Sequence, residues 1–272
     1  MLVAARIHSI MPHMEKVRQG SGKTRLADIV RFVADGCNHL LWPAICINCR
    51  KSICETDREL CRDCWSKLLA CAAPDYCPRC GRDVSRFAIV NNACPDCQGL
   101  EIHFDGISRC GFYADSLREM ILTFKLAGRT ELAEPLSSFA NSALQGAAFY
   151  HDIELFVPVP LHWTRRLTRG YNQSHILAKK LNHPDAKIST DLVRIRRTAK
   201  QPAMATAAQR RANVADAFAA RFRHPFAQKK ICLVDDIKTT GATLNECAKT
   251  LKEAGAANVY ALVLAVASRA NV

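Results

Sequence analysis

Residues 231–243 read ICLVDDIKTTGAT, and this stretch decides the fold class. Its first four residues are apolar, as in a short buried strand. Two acidic residues follow, and the last five, TTGAT, have the hydroxyls and the glycine that are typical of a helix start. The stretch therefore predicts a buried strand that ends at two carboxylates and leads directly into a helix.

The same stretch has the chemistry of a phosphate-binding loop. Backbone amides at a helix N-terminus bind anions, and the helix dipole favours negative charge there. Gly241 allows the backbone to approach a phosphate without a clash from a Cβ atom. Asp235 and Asp236 can accept hydrogen bonds from ribose hydroxyls or lie near magnesium. Thr-Thr-Gly alone would be an ordinary capped turn, so the prediction of a sugar-phosphate site rests on the whole string.

Outward from this loop, apolar strands alternate with amphipathic helices. This alternation predicts a parallel sheet covered on both faces, in an α/β domain of residues 101–272. The predicted strands cover residues 107–113, 155–159, 192–195, 231–234 and 259–267. The predicted helices cover residues 116–127, 131–147, 172–181 and 242–254.

The cysteines predict a metal module at residues 44–100. Eight of the 14 cysteines form four CxxC pairs. They are Cys46, Cys49, Cys61, Cys64, Cys77, Cys80, Cys94 and Cys97. Four thiolates make a closed tetrahedral zinc site, so two structural zinc ions are predicted, each held by four consecutive members of the set. An interleaved pairing and an iron–sulfur cluster stay open as alternatives.

The positive charge of the chain is concentrated in one segment. Residues 161–230 contain 16 Lys and Arg against three Asp and Glu, and this excess equals the net charge of +13 of the whole chain. Such a segment is either a solvated surface or a site for phosphate-bearing ligands or nucleic acid. The chain has no apolar run that would span a bilayer and no signal-peptide core, so a soluble cytoplasmic protein is expected. Residues 1–43 are predicted to be a tail followed by a short amphipathic helix at 26–42.

Residues 234–243 resemble the signature of type I phosphoribosyltransferases, which bind 5-phosphoribosyl 1-diphosphate (PRPP) with magnesium. Taken with four further stretches, the chain is similar to the ComF-like competence proteins from about residue 40 to its end. These stretches are CPRCG at 77–81, FKLAGR at 124–129, VPVPLH at 157–162 and RGYNQS at 169–174. The resemblance implies a parallel-sheet type I phosphoribosyltransferase fold preceded by a small cysteine-rich double zinc ribbon.

The resemblance also implies roles for individual residues. The PRPP-binding residues would be Val234, Asp235, Asp236, Thr239, Thr240, Gly241, Ala242 and Thr243. The catalytic set would be Asp235 and Asp236 at the ribose, with Lys125, Arg165 and Arg169 facing the pyrophosphate. Where the family usually has Lys-Tyr-x-Gly-Asp, this chain has Lys-Leu-Ala-Gly-Arg. Residues 198–213 resemble a mobile loop that closes over PRPP, with Gln201, Arg210 and Asn213 as its polar contacts; the alternative is a solvated surface.

Three functions follow as hypotheses. The first is a PRPP- and Mg-binding protein of DNA uptake for competence, with single-stranded DNA and proteins of the competence machinery as partners. The second is a true phosphoribosyltransferase of nucleotide metabolism, and the third is a PRPP-sensing regulator without turnover. The sequence leaves the acceptor, the partner protein and the oligomeric state open.

Overall fold

The computed structural model describes residues 44–53, 59–72, 75–97, 99–198 and 206–267. The chain divides into two compact units, Met1–Cys61 and Arg62–Val272. The predicted N-terminal tail and helix, residues 1–43, lie outside the described residues. The domain limits expected after residues 43 and 100 remain predictions. Within the described ranges no helix is long and apolar enough to cross a membrane.

In the first unit, the described residues form a tight turn around the first CxxC pair. The N–H of Cys46 donates to Lys51 O at 2.8 Å, and the N–H of Arg50 donates to Cys46 O at 2.9 Å. An antiparallel bridge between Ile45 and Ser52 closes the turn. The sequence spacing of the pair is thus realised as a knuckle, the turn that lets two thiols reach one ion.

The second unit is an α/β domain. Its strands are β1 (Gly106–Phe112), β2 (Leu155–Pro158), β3 (Lys187–Ile188), β4 (Leu192–Arg194), β5 (Phe218–Ala220), β6 (Lys230–Lys238) and β7 (Asn258–Val266). Its helices are α1 (Arg62–Ala70), α2 (Asp115–Leu126), α3 (Ala133–Gln145), α4 (Trp163–Arg169), α5 (Gln173–Lys179), α6 (Ala207–Val214) and α7 (Ala242–Glu253).

Five strands form one parallel sheet in the order β1-β7-β6-β2-β3. Strand β7 is almost continuously apolar and β6 is apolar over residues 231–234, as expected for strands that are covered on both faces. Residues 231–234 of β6 are 0–1% exposed. Burial of each such aliphatic side chain contributes about 1.5–3 kcal/mol. The predicted parallel sheet is confirmed, and its central strand leads directly to the candidate loop.

Two predictions about strands were wrong. Residues 192–194 were expected in the main sheet but form an antiparallel pair with β5. Of the three, only Leu192 is buried, so this segment suits a sheet that is covered on one face. The strand expected to end at Val234 continues to Lys238, because Asp235, Ile237 and Lys238 keep their pairing with β7.

The outer edge of β1 is covered by the chain between α1 and the second pair of knuckles. The N–H of Phe112 donates to Cys71 O at 3.1 Å, and the N–H of Ile107 donates to Pro78 O at 2.8 Å. Residue 111 must be glycine here, because a Cβ atom on Gly111 would collide with the Cys71 carbonyl oxygen. The edge strand of the sheet is therefore paired along part of its length.

Candidate functional site

Two carboxylates lie in the last part of β6, and hydrogen bonds fix both of them. Asp235 Oδ1 accepts the backbone N–H of Asp236 at 2.9 Å and the hydroxyl of Ser174 at 3.0 Å. Asp236 Oδ1 accepts the backbone N–H of Ile237 at 2.8 Å. Asp236 is buried and Asp235 is half-buried. The two acids are therefore held rigidly at the carboxyl end of a central strand, where open α/β sheets bind ligands.

Lys125, in the last turn of α2, forms an ion pair with the second carboxylate. Its Nζ lies 2.8 Å from Asp236 Oδ2 and 3.1 Å from Asp236 Oδ1. Burial lowers the pKa of Lys125, but the Asp236 carboxylate more than offsets that effect, so the pKa is raised and the ammonium stays charged. The structure thus brings together three members of the predicted catalytic set, and two of them neutralise each other.

The RGYNQS segment holds the end of α2, on which Lys125 is placed. The Tyr171 hydroxyl donates to Phe124 O, and Gln173 Nε2 donates to Lys125 O at 3.2 Å. These bonds satisfy two carbonyls in the last turn of the helix, which otherwise lack partners within it. Tyr171 and Gln173 therefore fix the position from which the Lys125 side chain reaches the carboxylates.

The same segment also begins α5 and holds the first carboxylate. Asn172 Oδ1 caps the helix by accepting the N–H of Ser174 at 3.1 Å, while its Nδ2 donates to Val159 O at 3.0 Å. Gly170, two residues before Asn172, has φ +78°, a conformation that favours glycine. This capped turn places the Ser174 hydroxyl on Asp235.

The predicted phosphate loop connects β6 to α7. Gly241, the N-cap of α7, has φ +82°, and a Cβ atom there would lie 2.8 Å from Lys238 Cε. Thr240 Oγ1 accepts the N–H of Ala242 at 3.4 Å. Of the predicted PRPP-binding residues, Val234 and Ala242 are buried, whereas Thr239, Thr240, Gly241 and Thr243 are partly exposed. The loop thus leads directly into a helix N-terminus, the kind of backbone end that can bind an anion.

The arginines predicted to face a diphosphate lie on and near α4. Arg165 Nη2 donates to Thr198 O at 3.1 Å. Burial lowers the pKa of Arg165, and the positive charges of Arg169 and Arg197 lower it further. Burial likewise lowers the pKa of Arg194, and Arg165 adds to the effect. Because these like charges are crowded together, an anion bound among them would relieve their repulsion.

The predicted mobile loop at 198–213 is helical in its second half. Thr206 and Gln209 form a capping box that starts α6. The pattern Thr-x-x-Gln is a readable helix-start signal that the interpretation as a loop overlooked. Arg210 is buried in α6, while Gln201 lies outside the described residues. Residues 207–213 therefore form a helix and not the predicted loop, whereas closure over PRPP stays a prediction.

Lys238 is a residue of the site that the sequence did not single out. Burial lowers the pKa of Lys238 to about 8. Negative charge on Cys80 or Cys77 opposes this lowering, whereas the guanidinium groups of Arg82 and Arg109 strengthen it. The sequence signal was weak, since one lysine in a loop is ordinarily solvated. The sequence also did not single out Tyr171, Gln173 and Ser174 as residues that hold the site, although they lie in the segment 169–174 that carries the family resemblance.

Each predicted group of four cysteines has its sulfur atoms within 4.8 Å of one another, in the sequential pairing. The groups are Cys46, Cys49, Cys61 and Cys64, then Cys77, Cys80, Cys94 and Cys97. In the second group Cys77 Sγ lies 3.8 Å from Cys97 Sγ, and Cys80 Sγ lies 3.6 Å from Cys94 Sγ. Although burial raises it, backbone N–H groups of Cys80 and Arg79 lower the pKa of Cys77 overall. Four clustered thiols, one of them stabilised as thiolate, fit tetrahedral zinc.

The first prediction concerns pH. Burial, with the adjacent charge of Asp236, raises the pKa of Asp235 from 3.8 to about 7. A raised pKa in the folded state means that this group's contribution is fully present below pH 3.8 and is lost as the pH rises to about 7. Asp235→Asn should therefore increase the free energy of unfolding at pH 8 by on the order of 1–3 kcal/mol, and less at pH 5.

Urea unfolding of the wild type and of this variant at pH 5, 6, 7 and 8 measures the effect. Ser174→Ala is the comparison variant, since it keeps the carboxylate but removes a hydrogen bond that lowers the pKa of Asp235, so its stability should fall between pH 5 and pH 8 at least as much as that of the wild type. A constant difference between the wild type and Asp235→Asn across this range would contradict the raised pKa.

Known proteins resemble the chain in both of its parts. A family profile described as a double zinc ribbon domain matches residues 37–98. Competence protein F of Haemophilus influenzae is 29% identical over 226 residues, which are 81% of this chain and 96% of that protein. Competence protein ComFC of Bacillus subtilis is 29% identical over 220 residues, 76% of this chain and 84% of its own length. DNA utilization protein YhgH of Escherichia coli is 29% identical over 223 residues, 80% and 94% of the two chains.

Two solved structures match about half of this chain, each with a low TM-score. One is the allosteric regulatory enzyme of purine biosynthesis, with a TM-score of 0.32, 19% identity, and coverage of 48% of this chain and 26% of that one. The other is the purine phosphoribosyltransferase of Pyrococcus horikoshii, with a TM-score of 0.26, 14% identity, and coverage of 48% and 86%. Similarity at this level says nothing about activity or ligands.

The resemblance to the ComF-like competence proteins is confirmed over most of the chain. The predicted parallel-sheet α/β domain with a cysteine-rich double zinc ribbon before it in the chain is confirmed too.

Proposed function

We propose that the protein binds PRPP with Mg²⁺ at residues 234–243 and acts in DNA uptake for competence, with single-stranded DNA as a partner. One observation carries the PRPP part: Asp235 and Asp236 are fixed immediately before a helix start that opens at the left-handed Gly241. In the proposal the carboxylates accept hydrogen bonds from the ribose hydroxyls, and the loop amides bind the 5′-phosphate.

The charges around the loop suit the diphosphate of PRPP. Arg165 and Arg169 supply fixed positive charge, and bound Mg²⁺ would neutralise the diphosphate oxygens. Lys125 is paired with Asp236 in this structure. In the proposal, hydrogen bonds from the ribose hydroxyls to the Asp236 carboxylate replace this ion pair. The Lys125 ammonium then contacts the diphosphate instead. Binding then exchanges one set of charge-assisted contacts for another and leaves no buried charge unpaired.

Isothermal titration calorimetry of the zinc-loaded full chain tests PRPP binding. PRPP with Mg²⁺ should give a saturable signal below about 1 mM, the upper end of usual substrate affinities. Ribose 5-phosphate with Mg²⁺ is the matched control, because it lacks the diphosphate and should bind far more weakly. A folded, zinc-loaded protein that gives no signal with PRPP would contradict the proposal.

Two alternatives share the same ligand site. A true phosphoribosyltransferase would break the bond between ribose C1 and pyrophosphate and form a bond from C1 to an acceptor, by positioning and charge stabilisation. A regulator would bind PRPP without turnover. Release of pyrophosphate in the presence of candidate bases would favour the enzyme, whereas binding with no release would favour the regulator or the DNA-uptake protein.

The DNA part of the proposal rests on a surface and on the relatives. Helix α4 exposes Trp163 by 64% and Leu167 by 74%, and it contains Arg165 and Arg169. Exposed aromatic rings beside arginines are the usual platform for single-stranded bases. The relatives named Competence protein F and DNA utilization protein YhgH support the same assignment. We also place the protein in the cytoplasm, where thiols stay reduced, since all its described cysteines are free.

The second prediction tests this surface. Arg169 and Arg197 are chosen because Arg165, Arg194 and Arg196 also donate hydrogen bonds within the fold. Changing both to Ser should weaken binding of an oligothymidine and reduce the slope of log affinity against log salt by about 0.7 for each lost phosphate contact.

Fluorescence anisotropy at several salt concentrations measures both quantities. The double variant Arg62→Ser, Arg118→Ser is the matched control. Both arginines are exposed and lie outside residues 161–230, and the variant loses the same amount of positive charge. If both double variants lose the same affinity, or if wild-type binding does not depend on salt, the basic stretch is an ordinary solvated surface.

A further inference from the structure

The second cysteine group is packed against the sheet and the segment that follows it. Pro78, within the third CxxC pair, accepts the N–H of Ile107 at 2.8 Å. Arg79 Nη2 donates to Ile102 O at 3.3 Å. Ile102 packs both on the four cysteines and on the main hydrophobic core. Residues 101–103 therefore take their position from the cysteine group.

These same residues are bound by the helix that starts at the phosphate loop. Asn245 lies in the first turn of α7. Its Oδ1 accepts the N–H of His103 at 2.7 Å, and its Nδ2 donates to Glu101 O at 3.1 Å. One side chain thus fixes the N-terminus of α7 to the segment that the cysteine group orders.

A second link runs through Lys238. This lysine is 6% exposed, and within the described ranges its ammonium has no hydrogen bond or ion pair. Its alkyl chain occupies the space in which a side chain of Gly241 would lie. The charges that act on the ammonium are those of Cys80, Cys77, Arg82 and Arg109. Lys238 therefore packs against Gly241 of the phosphate loop, and the charges of the cysteine group act on its ammonium.

Without metal, the buried Lys238 ammonium has no counter-charge among the described residues. Arg109 is buried and pairs with Asp83, and Arg82 pairs with Asp96 at 3.2 Å. No described carboxylate pairs with Lys238. A buried cation without a counter-charge is strongly unfavourable. Zinc held by four thiolates has a net charge of −2, since Zn²⁺ compensates only two of them. Zinc loading would therefore supply the negative charge that Lys238 needs.

We propose that Lys238 and Asn245 are positioning residues that make the conformation of the phosphate loop depend on zinc at the Cys77, Cys80, Cys94 and Cys97 site. The functional meaning of this link rests on the proposed function, in which the loop binds PRPP. Zinc loading and loop order then stabilise each other, since coupling between two sites is reciprocal.

Hydrogen exchange of residues 239–246 and competition for zinc with a chromophoric chelator test the link in the full chain. Lys238→Met keeps the approximate length of the side chain but removes its charge. Asn245→Ala removes the hydrogen bonds to residues 101 and 103. With zinc bound, each variant should exchange these amides about tenfold faster than the wild type. Lys238→Met should also bind zinc about tenfold more weakly, as expected for coupled sites.

Lys249→Met is the matched control, because it removes the same charge as Lys238→Met from a lysine that lies on α7 beside Asn245 and forms partly exposed ion pairs with Asp216 and Glu253. It should match the wild type in both measurements. Exchange within twofold of the wild type in both variants, or unchanged zinc affinity in Lys238→Met, would overturn the link. Neither measurement uses PRPP, so a wild type that fails to bind PRPP would refute the proposed function and leave this result standing.

Discussion

Changing Asp235 and Asp236 together to Asn is expected to weaken PRPP binding by about two to four powers of ten. As carboxylates, the two residues form charge-assisted hydrogen bonds, which contribute roughly 1.5–3 kcal/mol each. Because about 1.4 kcal/mol corresponds to a factor of ten, the loss of two such bonds gives the stated range. Calorimetry with PRPP and Mg²⁺, with wild type and variant at equal zinc content, measures it.

The double variant is expected to stay folded. Asn keeps the shape of each side chain, and the Lys125 side chain is 26% exposed, so its ammonium can turn to solvent when the ion pair with Asp236 is lost. Asp152→Asn is the control, since it breaks a partly exposed ion pair with Lys230 and should affect neither binding nor folding. If the double variant unfolds, the carboxylates are structural. If it binds PRPP like the wild type, residues 234–243 are not a ribose-phosphate site.

Cys80→Ser is expected to reduce the zinc content from about two ions per chain to one and to destabilise the second cysteine group severely. Binding of structural zinc supplies about 10–16 kcal/mol in zinc-finger peptides, and a group without its metal has little else to order it. Elemental analysis and thermal unfolding measure the two effects. Soluble yield should fall with them.

Cys71→Ser is the matched control for this change. Cys71 is also buried and lies outside both groups of four, and its thiol donates only to backbone oxygen. A serine hydroxyl can make that bond, so this variant should keep two zinc ions. One zinc ion or none in the wild type, or iron in place of zinc, would contradict the assignment of two closed zinc sites.

The parts of the fold that the sequence predicted are those that local chemistry determines. The continuous apolar run before Asp235 could only be a strand covered on both faces, and the CxxC spacing predicted both cysteine groups in their sequential pairing. The placement of β4 was wrong because Leu192–Arg194 is too short to show whether one face or two are covered. That choice depends on its partner β5, which is 24 residues away by sequence number.

The loop of the site could be predicted from the sequence, but the residues that hold the loop and Lys125 in position could not. Asp235, Asp236 and Gly241 follow from the requirements of a sugar phosphate, whereas the ion pair of Lys125 with Asp236 depends on how α2 ends. That end is held by Tyr171 and Gln173, which are distant in the sequence. Such long-range contacts leave no periodic pattern, so only the tertiary structure reveals them.

The covered edge of β1 has a consequence for self-association. An open strand edge displays unpaired amides and carbonyls, on which a second chain can add a strand. Here Cys71 and Pro78 supply carbonyls to two amides of that edge, and Pro78 lies in a knuckle that zinc would order. A chain without zinc would thus expose unpaired amides of this edge, and we expect it to aggregate more readily than the zinc-loaded chain.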